Sequence, residues 1–321
     1  MSIETAEQEF LDAACQAMSV DDPNVGLDAL GWWEMIDALD DADARTAVFS
    51  VFRAQGRSLA PSPAICGLMA RPLVAGTGIA PGSAVAALRR HSLTRGDIWV
   101  LLGETQDRKI VFTDRDRGVF ALERADVDLI DVDIPGGAAV REVAVDLAGH
   151  RPLFDPTTLP ERLVRSRYLG RVAAALDIVG AAEAAVDLAV DYARERRQFN
   201  QPIGAFQAVR HLLAWGTTDC VAIDAIARTA IELLDHPPER FDLVVKALAG
   251  RNGRRACERS LQVLGGIGFS AEHDHHRYHS RVMLLDAVLG SSARLTSDLG
   301  QWMRATASVP AWPREVLVGG R

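Results

Sequence analysis

Two short segments of the chain carry side chains that could hold an anionic cofactor. The first, Arg196–Phe199 (RRQF), follows a long alanine-rich stretch and offers charged donors, an amide and an aromatic face. Such a set suits a pyrophosphate beside an adenine or a ribose. Taken alone, it fits a solvated helix end equally well, because cations there interact favourably with the helix dipole.

The second segment, Leu261–Phe269 (LQVLGGIGF), places Gln262 on the last turn of a predicted helix before a Gly-Gly-x-Gly sequence. Glycines let a backbone approach a ligand closely, although the same sequence is also typical of a helix C-cap. A dinucleotide-binding fingerprint needs a strand before the glycines and a helix after them, so a Rossmann fold is rejected.

The elements around these segments fall into three predicted parts. Residues 1–78 contain EQEFLDAACQAM, LDALGWWEMIDAL and ARTAVFSVFRAQGRSL, which have helical spacing and predict a shortened N-terminal helical domain. Residues 79–150 contain the strand-length runs IWVLLGE, KIVFTD, GVFALE and VDLIDVDI, which predict a reduced, mostly antiparallel β domain. Residues 151–321 predict a C-terminal helix bundle, so the fold class is mainly α with a small β domain.

The bundle is predicted to begin with one very long helix. A capping box at Thr158–Glu161 would start this helix, and it would run to Phe199, with Pro202 preventing its continuation. Further helices are predicted over 205–235 and 239–264, followed by one or two more. Long helices with short connections form an antiparallel bundle.

The composition limits the classes of protein to which this chain could belong. The 321 residues carry a formal net charge of −8, which argues against nucleic-acid binding as the main task. No apolar run reaches the length of a membrane span, and the acidic N-terminus has no signal-peptide core. Four scattered cysteines, Cys15, Cys66, Cys220 and Cys257, predict reduced, buried thiols in a cytoplasmic protein.

The segments YARERRQFNQPIGAFQAVRHLLA and LQVLGGIGFSAEHDHHRYHSR together resemble the acyl-CoA dehydrogenase family of FAD flavoproteins, over about residues 157–303. The resemblance implies the same order of helical domain, β domain and helix bundle. It also implies that both segments cross a subunit interface and hold the adenine and pyrophosphate end of the FAD seated in a neighbouring chain. By motif, the flavin-contacting residues would be Arg196, Gln198, Phe199, Ile203, Phe206, Gln262, Val263, Gly265 and Gly266.

The general base that the resemblance implies is missing from both places where family members carry it. Most members have a Glu in an aromatic-Glu-Gly-Thr/Ser-Ser stretch, and the matching DAVLGSS has Leu289 at that position. Other members carry the base on the first long bundle helix, where the alignment places Gly170. Neither residue can accept a proton, so no catalytic residue is assigned, and Asp286 is the fallback base.

The segments that cradle the flavin ring and the substrate in the family are also absent. Residues 79–150 contain neither the Thr/Ser-Glu-Pro-x-Ala-Gly-Ser-Asp loop nor the Gly-x-Lys-x-Trp-Ile segment. The loss is selective, because the residues that reach a neighbour's flavin remain. The sequence therefore predicts the non-catalytic subunit of an α2β2 heterotetramer, with FAD shared at the interface and seated mainly in a full-length catalytic partner.

The resemblance also implies a substrate and an electron acceptor. Paired actinobacterial enzymes of steroid side-chain β-oxidation are similar, so the substrate would be a steroid-CoA thioester bound mainly by the partner. Electron-transfer flavoprotein, or a similar protein, would accept the electrons. Two alternatives stay open: a homomeric dehydrogenase that uses a relocated base such as Asp286, and a flavin-free scaffold or regulatory homologue.

The run EHDHHRYH at residues 272–279 could also be interpreted as a metal site. His275 and His279 are four residues apart and could share one face of a helix. However, Glu-His after Gly-Phe is ordinary in the family that the chain resembles, which binds no metal. We therefore predict no metal ion.

Overall fold

The structure of this chain is a computed structural model. The residues that it describes are 3–92, 96–114, 116–132, 134, 139–154 and 156–306.

The N-terminal part of the described chain is helical. The predicted helix over residues 27–39 is interrupted, because Gly31 is left-handed with a φ of 61°. Asp41 caps the following long helix by accepting a hydrogen bond from Ala44 N at 2.8 Å. A mostly buried helix after it was not predicted, because its flanking Pro and Gly residues resemble a loop. The helices are α1 (Ile3–Met18), α2 (Pro23–Ala29), α3 (Trp32–Met35), α4 (Ala42–Ser58) and α5 (Ala64–Val74).

The middle part consists of two small sheets rather than the single sheet that was predicted. Their strands are β1 (Ala84–Ala86), β2 (Leu88–Ser92), β3 (Gly96–Leu102), β4 (Lys109–Asp114), β5 (Gly118–Leu122), β6 (Asp128–Val132) and β7 (Val140–Ala144). One sheet has the order β1-β4-β5 and the other β2-β3-β7-β6, and among these strands only β1 and β4 pair in parallel. Trp99 of one sheet meets Phe112 of the other edge-on at 5.4 Å, so the sheets pack against each other.

The C-terminal part is the predicted helix bundle. Its first helix ends at Glu195 and not at Phe199, because residues 197–202 form a short β-hairpin. Thr158 lies before that helix with helical backbone angles, and its side chain makes no capping hydrogen bond, so the predicted capping box is wrong. The bundle elements are α6 (Leu159–Glu195), β8 (Arg197–Gln198), β9 (Gln201–Pro202), α7 (Gln207–Glu232), α8 (Phe241–Leu264), α9 (His275–Ala287) and α10 (Ser292–Thr306).

Two glycines bring α4 unusually close to α6. A methyl group built on Gly56 would lie 2.0 Å from Asp177 O, and one built on Gly180 would lie 2.0 Å from Arg53 O. Only hydrogen fits at these positions, so the glycines fix the helix crossing at the centre of the molecule. The crossing joins the N-terminal helices to the bundle within one hydrophobic core.

The described residues agree with the predicted fold class, mainly α with a small β region. The predicted domain limits at residues 78 and 150 stay a prediction. Cys66, Cys220 and Cys257 are buried free thiols as predicted, whereas Cys15 is half-buried. In the part of the chain that the structure describes, no helix combines the length and the hydropathy needed to cross a membrane.

Candidate cofactor-contact site

The hairpin after α6 presents the first predicted motif. Phe199 and Asn200 form its two-residue turn, with φ values of 51° and 67°, as a type I′ turn requires. Ile203 N donates to Arg196 O at 2.8 Å, which ties the end of the hairpin to the end of α6. As a result, Phe199 projects from the surface with 88% of its side chain exposed, and its ring meets Phe206 edge-on at 6.1 Å.

The second motif lies beside the first because a small apolar cluster joins the helix ends. Ala189 and Ala193 of α6 pack with Val263 and Leu264 of α8. Ile203, which follows the hairpin, covers the edge of this cluster. The structure therefore brings together segments that are more than 50 positions apart in the sequence.

Three polar side chains of the two motifs lie at the surface. Arg196, Gln198 and Gln262 are exposed, and among the described residues no carboxylate forms an ion pair with Arg196. Methyl groups built on Gly265 and Gly266 would meet nothing within 4 Å, so their backbone is accessible. Charged and amide donors beside an accessible glycine backbone suit a pyrophosphate, and exposed aromatic rings suit an adenine. These residues therefore fit the adenine and pyrophosphate end of FAD.

Leu289 and Gly170, the two residues predicted to stand at base positions, lie against each other. Leu289 has a left-handed backbone with a φ of 60°, which is costly for a bulky residue. Arg171 Nε holds this conformation by donating to Leu289 O at 3.1 Å. A methyl group built on Gly170 would lie 2.9 Å from Leu289 Cδ1 and 2.4 Å from Met69 Sδ. Apolar side chains therefore fill the space around these two residues.

Asp286, the fallback base, is fully engaged in structural contacts. Its carboxylate accepts hydrogen bonds from Ser292 N at 2.8 Å and from Ser292 Oγ at 3.2 Å, at the start of α10. The same carboxylate lies over Gly250 of α8, where an added methyl group would be 1.8 Å from Asp286 Oδ1. The carboxylate therefore faces α8 and α10, whereas Leu289 faces α6.

A buried lysine fastens the loop that carries Leu289. Lys246 has no exposed surface and donates from Nζ to Asp286 O at 3.1 Å and to Gly290 O at 3.2 Å. Burial lowers the pKa of Lys246 to about 8, and the Asp286 carboxylate 4.0 Å away opposes this effect. Neither Lys246 nor Arg171 was predicted to hold this loop, since a single cation in an amphipathic helix gives no local sign that it points into the protein.

One cavity between the β domain and the bundle is very small. Its cavity measures about 20 Å³ and is bordered by Ser62, Gly103, Asp177 and Arg281. Arg281 Nε donates to Asp177 Oδ1 at 2.6 Å, and both side chains are buried. Gln55 Nε2 donates to Asp177 Oδ2 at 2.6 Å, which links α4, α6 and α9. This volume holds about one water molecule, whereas cofactor sites occupy roughly 300–1,000 Å³.

A larger open groove runs beside the second motif. It measures about 840 Å³ and lies between α8, α9 and Ile134 of the β domain. Leu261, Gly268 and Phe269 contribute to its wall, so the groove continues directly into the segment that carries Gln262. Phe269 is 77% exposed, which leaves an aromatic side chain at this end of the bundle without a cover.

The histidines of residues 272–279 have structural surroundings. His275 Nε2 lies 3.0 Å from Cys257 O, to which it donates as a neutral ring, and its ring meets His279 edge-on at 5.9 Å. Burial lowers the pKa of His275 to about 4. Among the described residues, no three His, Cys, Asp or Glu side chains are grouped as metal ligands would be.

Comparison with known protein families gives a match in the bundle. The family model for the acyl-CoA dehydrogenase C-terminal domain matches residues 161–303. Probable acyl-CoA dehydrogenase YngJ of Bacillus subtilis is 32% identical over 184 residues, which are 57% of this chain and 44% of that protein. Acyl-CoA dehydrogenase FadE34 of Mycobacterium tuberculosis is 36% identical over 151 residues, which are 45% and 20%. The matched part therefore spans less than half the length of these curated relatives.

Solved structures match over nearly the whole chain. A variant of the Tcur3481-Tcur3483 steroid ACAD has a TM-score of 0.73 at 22% identity, covering 95% of this chain and 97% of that chain. The ChsE4-ChsE5 complex of Mycobacterium tuberculosis has a TM-score of 0.70 at 20% identity, covering 97% and 99%. Butyryl-CoA dehydrogenase of Megasphaera elsdenii has a TM-score of 0.73 at 16% identity, covering 94% and 99%.

At these identities the structural matches show the fold, in which helical N- and C-terminal parts flank a small β domain. Residues 161–303 thus belong to the acyl-CoA dehydrogenase family through its C-terminal domain, and the chain as a whole has the acyl-CoA dehydrogenase fold.

Proposed function

We propose that this chain is the non-catalytic subunit of a heteromeric FAD-dependent acyl-CoA dehydrogenase and contributes cofactor contacts in trans. One contrast carries the proposal. The two cofactor-contact segments are exposed and side by side, whereas the base position holds Leu289 packed on Gly170. A chain that had lost its function altogether would have no reason to keep the first set while losing the second.

The exposure of the cofactor-contact side chains supports a cofactor seated mainly in the partner chain. The cavity of about 20 Å³ beside Arg281 is far too small for a flavin ring, whereas Arg196, Gln198 and Gln262 face outward. Arg196 and the amide side chains would hold the pyrophosphate, which the accessible backbone of Gly265 and Gly266 would allow to approach closely. Phe199 and Phe206 would border the adenine. When bound, FAD would serve as the acceptor of the hydride from the acyl β-carbon.

The partner and the substrate follow from the same proposal. A full-length catalytic subunit would provide the general base and most of the acyl-CoA site, in a complex with two copies of each chain. Two structural neighbours support a heteromeric assembly by their names, since one is the ChsE4-ChsE5 complex and the other is a steroid ACAD with a paired designation. We therefore propose a steroid-CoA thioester as the substrate class, with an electron-transfer flavoprotein or a similar acceptor.

The decisive experiment is flavin counting in the complex that forms when this chain is co-expressed with its catalytic partner. This chain expressed alone should bind no flavin, and the complex should contain one FAD for each pair of unlike chains. A homomeric dehydrogenase would instead be fully loaded with FAD when expressed alone. A scaffold would leave the flavin content of the partner unchanged.

Replacing Arg196 with Ala tests the contact itself. A charge-assisted hydrogen bond shielded from water contributes about 1.5–3 kcal/mol, so the FAD dissociation constant should rise on the order of 10- to 100-fold. Arg194→Ala is the matched control, because Arg194 lies on the same helix end, is 74% exposed and pairs with Asp191. If the Arg196→Ala complex bound FAD as tightly as the Arg194→Ala complex, this chain would not hold the partner's cofactor.

A further inference from the structure

The hairpin after α6 is too small to hold its own conformation. Its strands, β8 and β9, contain two residues each. They pair Arg197 with Pro202 and Gln198 with Gln201. A two-stranded hairpin of this kind is marginally stable at best in water unless other groups hold it. Its conformation therefore depends on hydrogen bonds beyond those between the two strands.

The turn of this hairpin holds an aromatic residue in a costly conformation. Phe199 has a φ of 51° and Asn200 has a φ of 67°, so both are left-handed. Asn adopts this conformation readily, whereas a bulky residue rarely does. Phe199 also gains little from its surroundings, because 88% of its side chain is exposed. Without a restraint, the turn would relax and the Phe199 ring would lose its fixed direction.

A hydrogen bond from the side chain of Arg197 supplies this restraint. Arg197 Nη2 donates to Asn200 O at 3.0 Å, which closes the tip of the hairpin. At the other end of the hairpin, Ile203 N donates to Arg196 O at 2.8 Å. The two bonds hold the left-handed turn from both sides, and the bond at the tip is made by a side chain.

Arg197 lies on the face of the hairpin opposite to the proposed pyrophosphate ligands. Successive side chains of an extended strand point to opposite faces, so Arg197 and Gln198 lie on different faces. Arg196 also has an extended backbone, and it therefore lies on the face of Gln198. The bond to Asn200 O directs the Arg197 guanidinium toward the turn. Arg197 is thus placed to shape the turn, whereas Arg196 and Gln198 are placed to bind the pyrophosphate.

We propose that Arg197 is a positioning residue for FAD, which fixes Phe199 at the border of the adenine without touching the cofactor itself. Its bond to Asn200 O holds the turn, and the turn directs the Phe199 ring outward, edge-on to Phe206 at 6.1 Å. A ring that is already in place binds the adenine without the entropic cost of ordering it. This role rests on the proposed function, because it belongs to the same cofactor-contact site.

FAD titration of the purified complex with the catalytic partner tests this role. Arg197→Ala should raise the FAD dissociation constant about 3- to 10-fold, since one exposed hydrogen bond holds the turn. Arg194→Ala, the control at the same helix end, should leave the dissociation constant unchanged. Arg197→Lys keeps a donor on a long side chain and should restore most of the affinity.

Two further measurements distinguish a positioning residue from a direct ligand of the pyrophosphate. In a complex that carries Phe199→Ala, adding Arg197→Ala should cause no further loss of affinity, because no ring is left to position. The dissociation constant should rise with ionic strength as steeply for Arg197→Ala as for the parent. Arg196→Ala should flatten this dependence, since it removes a charge that faces the pyrophosphate.

The proposal is overturned if Arg197→Ala binds FAD as tightly as Arg194→Ala, or if its effect adds in full to that of Phe199→Ala. It is also overturned if Arg197→Ala flattens the dependence on ionic strength as Arg196→Ala does. In each of these cases the proposed function stands as long as Arg196→Ala weakens FAD binding. If Arg196→Ala and Phe199→Ala both bind FAD as tightly as the parent, the proposed function fails, and the role of Arg197 fails with it.

Discussion

Replacing Asp286 with Asn separates a structural carboxylate from a catalytic base. The carboxylate accepts two hydrogen bonds from Ser292 and lies 4.0 Å from the buried Lys246 ammonium. Asn can preserve the shape and the bond to Ser292 N, but it cannot supply the negative charge. The variant therefore changes charge alone, in a place where water cannot compensate for it.

The contacts of the carboxylate determine how much unfolding free energy the variant should lose. A hydrogen bond to a charged group contributes about 1.5–3 kcal/mol and a neutral one about 0.5–1.5 kcal/mol. Replacing the charged acceptor by a neutral one should therefore lower the free energy of unfolding by about 1–2 kcal/mol. The pKa of Lys246, which burial already lowers to about 8, should fall further because the nearby carboxylate no longer opposes that effect. We expect a total loss of about 2–3 kcal/mol and a Tm lower by a few degrees.

The assay combines thermal unfolding with turnover of the complex that contains the variant chain. If Asp286 is structural, Tm should fall while kcat stays within a few-fold of the parent. Ser292→Ala is the matched control, since it removes only the longer of the two hydrogen bonds and should cost about half as much or less. A thousandfold fall in kcat with FAD retained and Tm unchanged would make Asp286 the base, and it would refute the assignment of this chain as non-catalytic.

Two further predictions concern the packing and the pH dependence of the fold. Gly180→Ala places a methyl group 2.0 Å from Arg53 O and should lower the free energy of unfolding, measured in urea, by about 1–3 kcal/mol. The control Gly300→Ala, with nothing within 4 Å of the added methyl group, should be neutral or stabilising by up to about 1 kcal/mol. Equal effects of the two variants would contradict the close crossing of α4 and α6. For His275 the folded-state pKa of about 4 lies below the ordinary value of 6.5, so the unfolded chain takes up the proton first and stability should fall as pH drops from 6.5 to 4. Urea midpoints of His275→Gln should show a smaller fall over this window than those of the parent or of His276→Gln, and an identical fall would contradict the burial argument.

The fold class could be predicted from the sequence because local periodicity carries it. Apolar residues at helical spacing indicated the bundle, and the runs that became β3 to β6 had the length and composition of strands. Elements whose stability comes from their neighbours were missed. Helix α5 contains Pro72 and follows a Pro-rich loop, yet its apolar residues are buried on several sides by other parts of the core. Local signals cannot indicate burial of that kind, because it depends on residues far away in the chain.

The sequence by itself also determined what two of the residues cannot do. Leu289 and Gly170 have no group that can accept a proton in any conformation, so the identity of these residues is enough to exclude them as bases. Likewise, the ability of Arg196 and Gln262 to donate hydrogen bonds depends only on the residue type. The hydrogen bonds and proton transfers that a side chain can make depend on its own chemical groups, so they can be read directly from the sequence.

Only the tertiary structure decided where these groups lie and which of them are already engaged. It ended α6 at Glu195 and turned Phe199 outward on a hairpin, whereas the sequence had continued the helix to that residue. It also directed the Asp286 carboxylate onto Ser292, which no spacing in the sequence indicated. Partners that are close in space but distant in the chain compete for each polar group, and the outcome of that competition depends on the packing of the whole molecule.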